Sequence, residues 1–418
     1  MSEDTKNVTD YSLTDPAVQE CPYPFYSAMR REQPVYRMPE TGFYIVSRYD
    51  DLKHVLRDTE TFSNRFSAAR EEAIEAHKSP ISEMYRTRGW QTVPALQQTD
   101  PPVHTRFRRP IDRTFTASRV REMVPYIDGI VSDLIDGFID QGETDFVESF
   151  AVPLPCYVIA DQFGVPRDDV PKLKKWSDAL MDQIGMMMSP EREQQVADEI
   201  FEFQSYFAGV FEDRIKNPQD DMLSDVVTVL PGEEPLSMNE LLSTMSQLLT
   251  GGNDTTTGSL AEGLLLLIRH PEQANKLRVQ PDLMRNFVEE VLRIESPVQG
   301  LMRVTTRDVE LGGTTIPEGA IVVVRYASAN HDEARFDCPA EFRVDRKDAG
   351  AHLAFGAGIH FCPGAMLARQ EMASAFTQLL DRLDNIALAV PEESLSHFPS
   401  MFHRRLKSLP VTFEKARS

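Results

Sequence analysis

One short segment, residues 355–364, constrains this chain more than any other part of it. It reads Phe-Gly-Ala-Gly-Ile-His-Phe-Cys-Pro-Gly and leads into a helix-forming run from Ala365 to Leu383. A helix N-terminus carries partial positive charge and unpaired N–H groups, so it favours a thiolate over a thiol at Cys362. Pro363 suits the first helical position, because the N–H that proline lacks would have no partner there.

Glycines in this segment remove side chains where the backbone has to approach something large and flat. Axial ligation of haem iron is a task that suits a lone thiolate in such a place. The alternative is a buried structural cysteine in an ordinary glycine-rich loop. The segment resembles the haem-binding signature of the cytochromes P450, Phe-x-x-Gly-x-His/Arg-x-Cys-x-Gly. That resemblance implies that Cys362 binds the iron and that these residues contact haem b: Phe355, Gly356, His360 and Gly364.

The resemblance extends from about Pro22 to about Val411. It implies a mainly α fold of the cytochrome P450 type, a large helical domain with a long central helix and a small β-rich N-terminal lobe. We expect residues 1–20 to form a disordered or loosely packed tail and residues 21–418 to form a single domain. The net charge of −21 argues against nucleic acid as a partner, since phosphate binding needs a basic surface.

The chain has no basic and apolar leader at its N-terminus and no run of about 18 apolar residues, so we expect neither a signal peptide nor a membrane span. Its four cysteines lie far apart, with no CxxC or CxxxxH spacing, which indicates a reducing compartment and argues against a zinc site. We therefore expect a cytoplasmic protein. Animal and plant members of the family usually carry an N-terminal membrane anchor, so the resemblance implies the soluble bacterial type, and we expect a monomer.

Periodicity predicts helices and strands in a definite order. Helices are predicted over 22–33 and 49–58 and through most of 102–295, a hairpin over 35–47, strands over 309–324, and strand character in 397–413. Ser237 and Glu240 form a capping box from which helical periodicity runs to about Arg269. A helix of that length spans about 50 Å, enough to cross the molecule.

The centre of this long helix is a poor helix former. It reads Thr-Gly-Gly-Asn-Asp-Thr-Thr-Thr over 250–257, and broken propensity within an element is where a functional site is expected. The stretch resembles the family's Ala/Gly-Gly-x-Asp/Glu-Thr-Thr/Ser motif. The resemblance implies that Gly251 and Gly252 leave room over the haem, that Thr255 organises hydrogen bonds where dioxygen is activated, and that Asp254 relays protons. Alternatively, the hydroxyls bond only to the helix carbonyls and Asp254 is a surface charge.

Glu290 and Arg293 lie three residues apart on one helix face. Such pairs are usually solvated and weak, but this one resembles the family's Glu-x-x-Arg motif, which implies a buried structural pair. The family often adds an arginine from a Pro-x-Arg-Phe turn. This chain has Glu341 at that place, and whether Arg343 substitutes stays open.

Haem carries two propionates, which need nearby cations. By resemblance, four basic residues are candidates to bind them: His104, Arg108, Arg303 and His360. Each is alternatively an ordinary surface group. On the opposite side of the helix that carries His104, three arginines form a basic stripe that suits an acidic electron donor, although a solvated helix face is an equal alternative: Arg106, Arg109 and Arg113.

The family builds its substrate cavity from variable loops above the haem. By position, the expected substrate-binding residues are Trp90, Val93, Leu96, Met187, Leu248, Val298, Met302 and Phe402. Their composition indicates an apolar ligand. Helix-packing core is the alternative for the methionines next to Met187.

These features lead to one main functional hypothesis. The chain is expected to be a haem b monooxygenase that inserts one oxygen atom from O2 into a C–H bond of an apolar substrate. Electrons are expected from a [2Fe-2S] or similar ferredoxin with an NAD(P)H-dependent reductase, because no flavin or nicotinamide motif is present. Two alternatives are a peroxide-driven enzyme, against which Asp254 and Thr255 argue, and a haem-based sensor without turnover.

Overall fold

The computed structural model describes residues 6–65, 79–185, 188–229, 232 and 234–416. Helices dominate these residues. Their bounds are α1 (Pro16–Glu20), α2 (Tyr23–Glu32), α3 (Tyr49–Arg57), α4 (Pro80–Thr87), α5 (Val103–Thr114), α6 (Ala117–Asp136), α7 (Pro153–Gln162), α8 (Val170–Gly185), α9 (Pro190–Lys216), α10 (Met222–Val227), α11 (Met238–Arg269), α12 (Pro271–Val279), α13 (Met284–Ile294), α14 (Tyr326–Ala329) and α15 (Ala365–Arg382).

The strands are short and form three small sheets. Their bounds are β1 (Val35–Arg37), β2 (Tyr44–Val46), β3 (Phe62–Ser63), β4 (Glu143–Asp145), β5 (Leu301–Thr305), β6 (Val309–Leu311), β7 (Thr314–Ile316), β8 (Ile321–Val324), β9 (Leu383–Leu388) and β10 (Pro410–Lys415). The largest sheet has the order β1-β2-β8-β5-β3. Within it β2 and β8 run parallel and the other neighbours antiparallel. The predicted mainly α fold with a small β lobe is therefore confirmed.

The N-terminal segment differs from the expected loose tail. Within residues 6–20, Val8, Leu13 and Val18 are buried and pack in one hydrophobic cluster with Phe25 and Met29 of α2. Three apolar side chains spaced along an otherwise polar segment are enough to hold it against the lobe. Residues 1–5 lie outside the described part of the chain. At the other end, residues 397–409 form isolated bridges, and the regular strand there starts at Pro410.

Helix α11 passes between the two largest hydrophobic clusters. Ser237 caps it by accepting a hydrogen bond from the Glu240 N–H while the Glu240 carboxylate returns to the cap, as predicted. Leu248 and Leu249 belong to the cluster around α7–α9, whereas Leu260 and the leucines after it belong to the cluster around α6, α13 and α15. The glycine- and threonine-rich centre of α11 therefore lies where the two cores meet.

A buried charge cluster fastens α13 to the chain that follows β8. Arg293 Nε lies 2.7 Å from Glu290 Oε2, and both side chains are fully buried. Arg346 Nε lies 2.9 Å from Glu290 Oε1 and is the third member. Arg343 contributes only its backbone N–H, 3.1 Å from Glu290 Oε1, and its guanidinium reaches the Asp337 carbonyl at the surface. The turn closed by the Arg346 N–H on the Arg343 carbonyl carries the later arginine inward, so the open question is settled in favour of Arg346.

No helix within the described ranges has the length and apolar character needed to cross a bilayer.

Candidate active site

The loop that carries Cys362 is folded tightly by its own backbone. The Cys362 N–H donates to the Phe355 carbonyl at 3.0 Å, which closes the loop. Gly356 and Gly358 have φ values of +70° and +71°, in the left-handed region that favours glycine. A Cβ at Gly358 would also lie 2.7 Å from the Leu56 carbonyl oxygen. The chain therefore needs glycine here for its turn and for its approach to α3.

Helix α15 begins at Ala365 with Gly364 as its N-cap, so Pro363 precedes the helix and does not occupy its first position as predicted. Burial raises the pKa of the Cys362 thiol, while the Gly364 N–H and the positive charges of Arg108 and Arg369 act in the opposite direction. The helix N-terminus was predicted to favour the thiolate at Cys362, but burial outweighs that effect and favours the thiol. A bound metal cation reverses that balance, since coordination deprotonates a thiol.

One cavity lies between this loop and the centre of α11. Four predicted haem-contacting residues of the loop line it: Phe355, Gly356, Cys362 and Gly364. On the opposite wall, Gly251, Gly252 and Thr255 face the same space. Leu96, Leu248 and Val298 line it as well, as expected for substrate-binding residues.

The wall formed by α11 is shaped by its two glycines and by Thr255. A Cβ at Gly251 would meet nothing within 4 Å, whereas one at Gly252 would lie 2.9 Å from Ile159 Cδ1. Gly251 therefore leaves open space in the cavity, and Gly252 permits the close packing of α7. The Thr255 hydroxyl donates to the Gly251 carbonyl at 2.7 Å, so its oxygen lone pairs stay available as acceptors.

Asp254 is a buried ion-pair partner, which excludes the surface-charge alternative. Its Oδ1 lies 3.0 Å from Arg405 Nη1, and its Oδ2 accepts a hydrogen bond from Ser177 Oγ at 2.5 Å. Arg405 also donates to Asp178 Oδ1 at 2.8 Å, and Asp178 pairs with Lys174. The carboxylate is not among the groups that line the cavity. A chain of charges therefore connects it to Lys174, whose side chain is 22% exposed.

The four predicted propionate-binding residues all line one part of the cavity: His104, Arg108, Arg303 and His360. The rings of His104 and His360 lie 4.3 Å apart between centroids. Their Nε2 atoms are buried and have no hydrogen-bond partner within the described residues. Burial, and after it the positive charges of Arg303, His104 and Arg108, lower the pKa of His360 to about 3. Buried imidazole nitrogens need hydrogen-bond partners, and two carboxylates fit a place where such nitrogens lie beside Arg108 and Arg303.

The basic stripe is smaller than expected. Arg106 Nη1 lies 2.5 Å from Glu240 Oε1, and Arg106 also donates to the Pro235 carbonyl. It therefore fastens α5 to the start of α11 and does not belong to a free surface, because α5 and α11 meet at that point. Arg109 and Arg113 are exposed.

Several expected substrate-binding residues do not line the cavity. Met302 and Phe402 pack in the hydrophobic cluster of the N-terminal lobe, because β5 turns Met302 toward that side and Phe402 is buried there. Trp90 packs against the core around α9, and its backbone N–H donates to Gln204 Oε1. Val93 is held through its N–H by Ser243. Met187 lies outside the described residues.

Sequence reasoning missed other lining residues. Glu371 of α15 is fully buried, its Oε2 has no partner within the described residues, and burial raises its pKa well above the usual range. Burial raises the pKa of the Tyr326 hydroxyl, and the charge and hydrogen bond of the neighbouring Arg303 oppose that rise. Gln247 receives the Gln97 N–H and donates to the Ala95 carbonyl, both at 3.0 Å. The sequence did offer two signals for these residues. Glu371 is an acid in the helix that follows the cysteine loop, and Gln247 lies four residues before Gly251.

Comparison with known proteins decides the family. The family model described as "Cytochrome P450" matches residues 22–393. The chain belongs to the cytochrome P450 family. The cytochrome P450 monooxygenase PikC of Streptomyces venezuelae is 34% identical, with 95% of this chain and 92% of PikC covered. Vitamin D(3) 25-hydroxylase of Pseudonocardia autotrophica is 31% identical, with 99% and 98% covered.

A solved structure agrees with this assignment. Cytochrome P450 CYP109Q5 from Chondromyces apiculatus has a TM-score of 0.83 at 34% identity, covering 97% of this chain and 98% of that one. Cytochromes P450 are haem-thiolate monooxygenases and bind haem b. The residues present fit that cofactor, because one thiol, Arg108, Arg303 and two histidines whose Nε2 atoms have no partner within the described residues face the same cavity.

Proposed function

We propose that this cytochrome P450 hydroxylates an unactivated C–H bond of a small to medium apolar substrate. The observation that carries the proposal is the cavity itself, in which Cys362, the basic cluster and Thr255 surround a space with apolar walls. Leu96, Leu248 and Val298 contribute to those walls. The name of the similar vitamin D(3) 25-hydroxylase supports a hydroxylation reaction.

Haem b supplies the oxygen-activating chemistry when it is bound, and the protein supplies ligation, orientation and protons. In this proposal Cys362 Sγ holds the iron, and its closed loop fixes that sulfur against α15. His104, Arg108, Arg303 and His360 would hold the carboxylates of the cofactor, and those carboxylates would compensate the positive charges of Arg108 and Arg303. Gly251 keeps space open for ligands beside α11.

Proton delivery is assigned to Asp254 and Thr255. The Thr255 hydroxyl hydrogen is used by the Gly251 carbonyl, so Oγ1 accepts a hydrogen bond from a protonated ligand in the cavity. Asp254 draws on the Arg405–Asp178–Lys174 chain, which leads toward solvent. Because its carboxylate faces away from the cavity, a side-chain rotation or a bridging water has to connect it with Thr255.

Electrons are proposed to come from a ferredoxin with its NAD(P)H-dependent reductase. Arg108 donates to the Phe361 carbonyl at 2.7 Å, so helix α5 lies directly beside the cysteine loop. Arg109 and Arg113 continue that helix at the surface. Positive charge next to the loop suits an acidic donor, whose approach it accelerates at low salt.

A single domain over residues 21–418 and a cytoplasmic location complete the proposal. Support for the first is that α11 contributes to both large cores. Support for the second is that all four cysteines are free thiols.

The experiment that tests the function is an optical titration of the purified holoprotein with a panel of apolar compounds. We expect a low-spin to high-spin shift with some of them, followed by hydroxylated product when reduced ferredoxin and O2 are supplied. Thr255→Ala should uncouple this route but leave peroxide-driven turnover unchanged. Equal activity with peroxide alone, or NADH consumption without product under all conditions, would contradict the proposal.

A further inference from the structure

Helix α13 carries two adjacent acids with different partners. Glu290 belongs to the buried cluster with Arg293 and Arg346. Glu289 faces the cysteine loop instead. Its Oε1 accepts from Arg369 Nε at 2.6 Å and its Oε2 from Arg369 Nη2 at 2.9 Å, which is a bidentate pair. The same Oε2 lies 2.9 Å from His352 Nε2.

The hydrogen bonds of His352 fix its tautomer. Its Nδ1 accepts a hydrogen bond from the Ala354 N–H at 3.1 Å, so the ring proton is on Nε2 and is donated to Glu289. The His352 side chain is 1% exposed. Ala354 and Phe355 begin the cysteine loop, and Glu289 therefore holds the start of that loop through one histidine.

Arg369 acts on the same loop from the other side. Its guanidinium carbon lies 4.5 Å from the centroid of the Phe355 ring, within the range of a cation–π contact. The His352 ring lies 5.7 Å from the same ring. Phe355 is thus enclosed by these two side chains, and its carbonyl receives the Cys362 N–H.

The charges of this group are well defined. Burial would raise the pKa of Glu289, but the hydrogen bonds and charges of His352 and Arg369 hold it down at about 2, so the carboxylate is ionised. The Glu289 carboxylate and the Arg369 guanidinium therefore form an ion pair beside the Phe355 ring. Removal of either partner leaves the other as an unbalanced charge.

We propose that Arg369 and Glu289 are positioning residues for Cys362, which hold Phe355 in place and together set the reduction potential of the iron bound there. This inference rests on the proposed role of Cys362 as the iron ligand. The cation stabilises the more negative, reduced state of the site, and the carboxylate opposes it. A purely structural brace would not give effects of opposite sign.

The test is a redox titration of the holoprotein in four variants. Arg369→Gln should lower the midpoint potential, Glu289→Gln should raise it, and the double variant should lie between the two. Arg382→Gln is the matched control, because Arg382 lies on the same helix and pairs with Asp136 away from the loop. Its potential should equal that of the wild type, with haem content and far-ultraviolet circular dichroism measured throughout.

Shifts of the same sign in both single variants, or no shift in either, would overturn the inference. Should one single variant lose haem, the other single variant and Arg369→Lys decide. Because lysine keeps the positive charge, the midpoint potential of Arg369→Lys should lie above that of Arg369→Gln. If Arg369→Gln is the variant that loses haem, the potential of Arg369→Lys should lie below that of Glu289→Gln. The wild-type spectrum separates this inference from the proposed function. A wild-type protein without thiolate ligation contradicts both, whereas thiolate ligation with unchanged potentials contradicts only the inference.

Discussion

The two walls of the cavity are built in different ways. The wall that carries Cys362 consists of ten consecutive residues, closed by one hydrogen bond from Cys362 to Phe355 and by two glycines with positive φ. The wall formed by α11 depends on partners from distant parts of the chain. Asp254 is held by Ser177 of α8 and by Arg405 near the C-terminus.

Because the two walls are held in different ways, they suit different functions. A wall closed by its own backbone keeps one sulfur in one place, which suits a fixed ligand. A wall whose acid is held by separate elements can change when those elements move, which suits delivery of protons. The contrast predicts that variants behind the cysteine loop affect stability and ligation, while variants at α11 affect turnover.

The largest effect is expected at the buried cluster that supports the cysteine side. Arg346→Met leaves Glu290 paired with Arg293 but removes the hydrogen bonds that the buried Arg346 guanidinium donates to Glu290 and to nearby backbone carbonyls. Because a buried acceptor left without a partner costs about 1–3 kcal/mol, the free energy of unfolding should fall by at least that amount. Arg343→Met is the matched control, because its side chain is 36% exposed and should cost less than about 0.5 kcal/mol. Denaturant unfolding of the two variants measures the loss of stability. Equal losses would contradict the assignment of Arg346, and not Arg343, as the third member of the cluster.

The next effect is expected at Asp254. Asp254→Asn keeps the size of the side chain and a hydrogen bond to Ser177, and Arg405 retains Asp178. Loss of the acid should slow product formation about 10²-fold with little change in substrate affinity. Steady-state turnover with reduced ferredoxin measures the first quantity and the optical spin shift measures the second. A normal rate in this variant would show that protons reach Thr255 by another route.

A smaller effect is expected at Gln247, which joins the cavity loop to α11. Leu96 has a φ of +40°, unusual for a leucine, and the two bonds from Gln247 to Ala95 and Gln97 hold it there. Gln247→Leu should therefore release Leu96 and change the affinity for 4-phenylimidazole by about 1 kcal/mol. The affinity for imidazole, which lacks the phenyl ring, should change much less. Equal changes for both azoles would contradict this function of Gln247.

Near neutral pH the smallest effect is a pH dependence at the basic cluster. The folded-state pKa of His360 is about 3, below the ordinary value of about 6.5, so the unfolded chain binds more protons in this range. Stability of the haem-free protein should therefore decrease as the pH falls below about 6.5. His360→Gln should reduce that slope in denaturant unfolding, and carboxylates of bound haem should reduce it as well. A slope unaffected by either would show that His360 does not titrate as described.

Sequence patterns were sufficient where the determinant is local. The capping box at Ser237, the helix–hairpin–helix order of the lobe and the placement of Cys362 all follow from spacing within a few residues. They failed where a tertiary contact decides. Arg346 rather than Arg343 reaches Glu290 because a turn redirects the chain, and Arg106 is occupied because Glu240 lies across from it.

The same limit applies to the substrate side. Leu96, Leu248 and Val298, which were also assigned by position, line the cavity. Met302 and Phe402 were assigned by position, but strand direction and packing turn them toward the N-terminal cluster. Several elements line the cavity, and a local sequence pattern does not predict which side of a short strand faces it.

The most direct test of the central claim is the absorption spectrum of the reduced, carbon-monoxide-bound protein. Wild-type protein should show the red-shifted Soret band of thiolate ligation, and Cys362→Ser should lose that band while far-ultraviolet circular dichroism confirms its fold. A wild-type protein without the band, or a Cys362→Ser pigment with an unchanged spectrum, would contradict the assignment of Cys362 as the iron ligand.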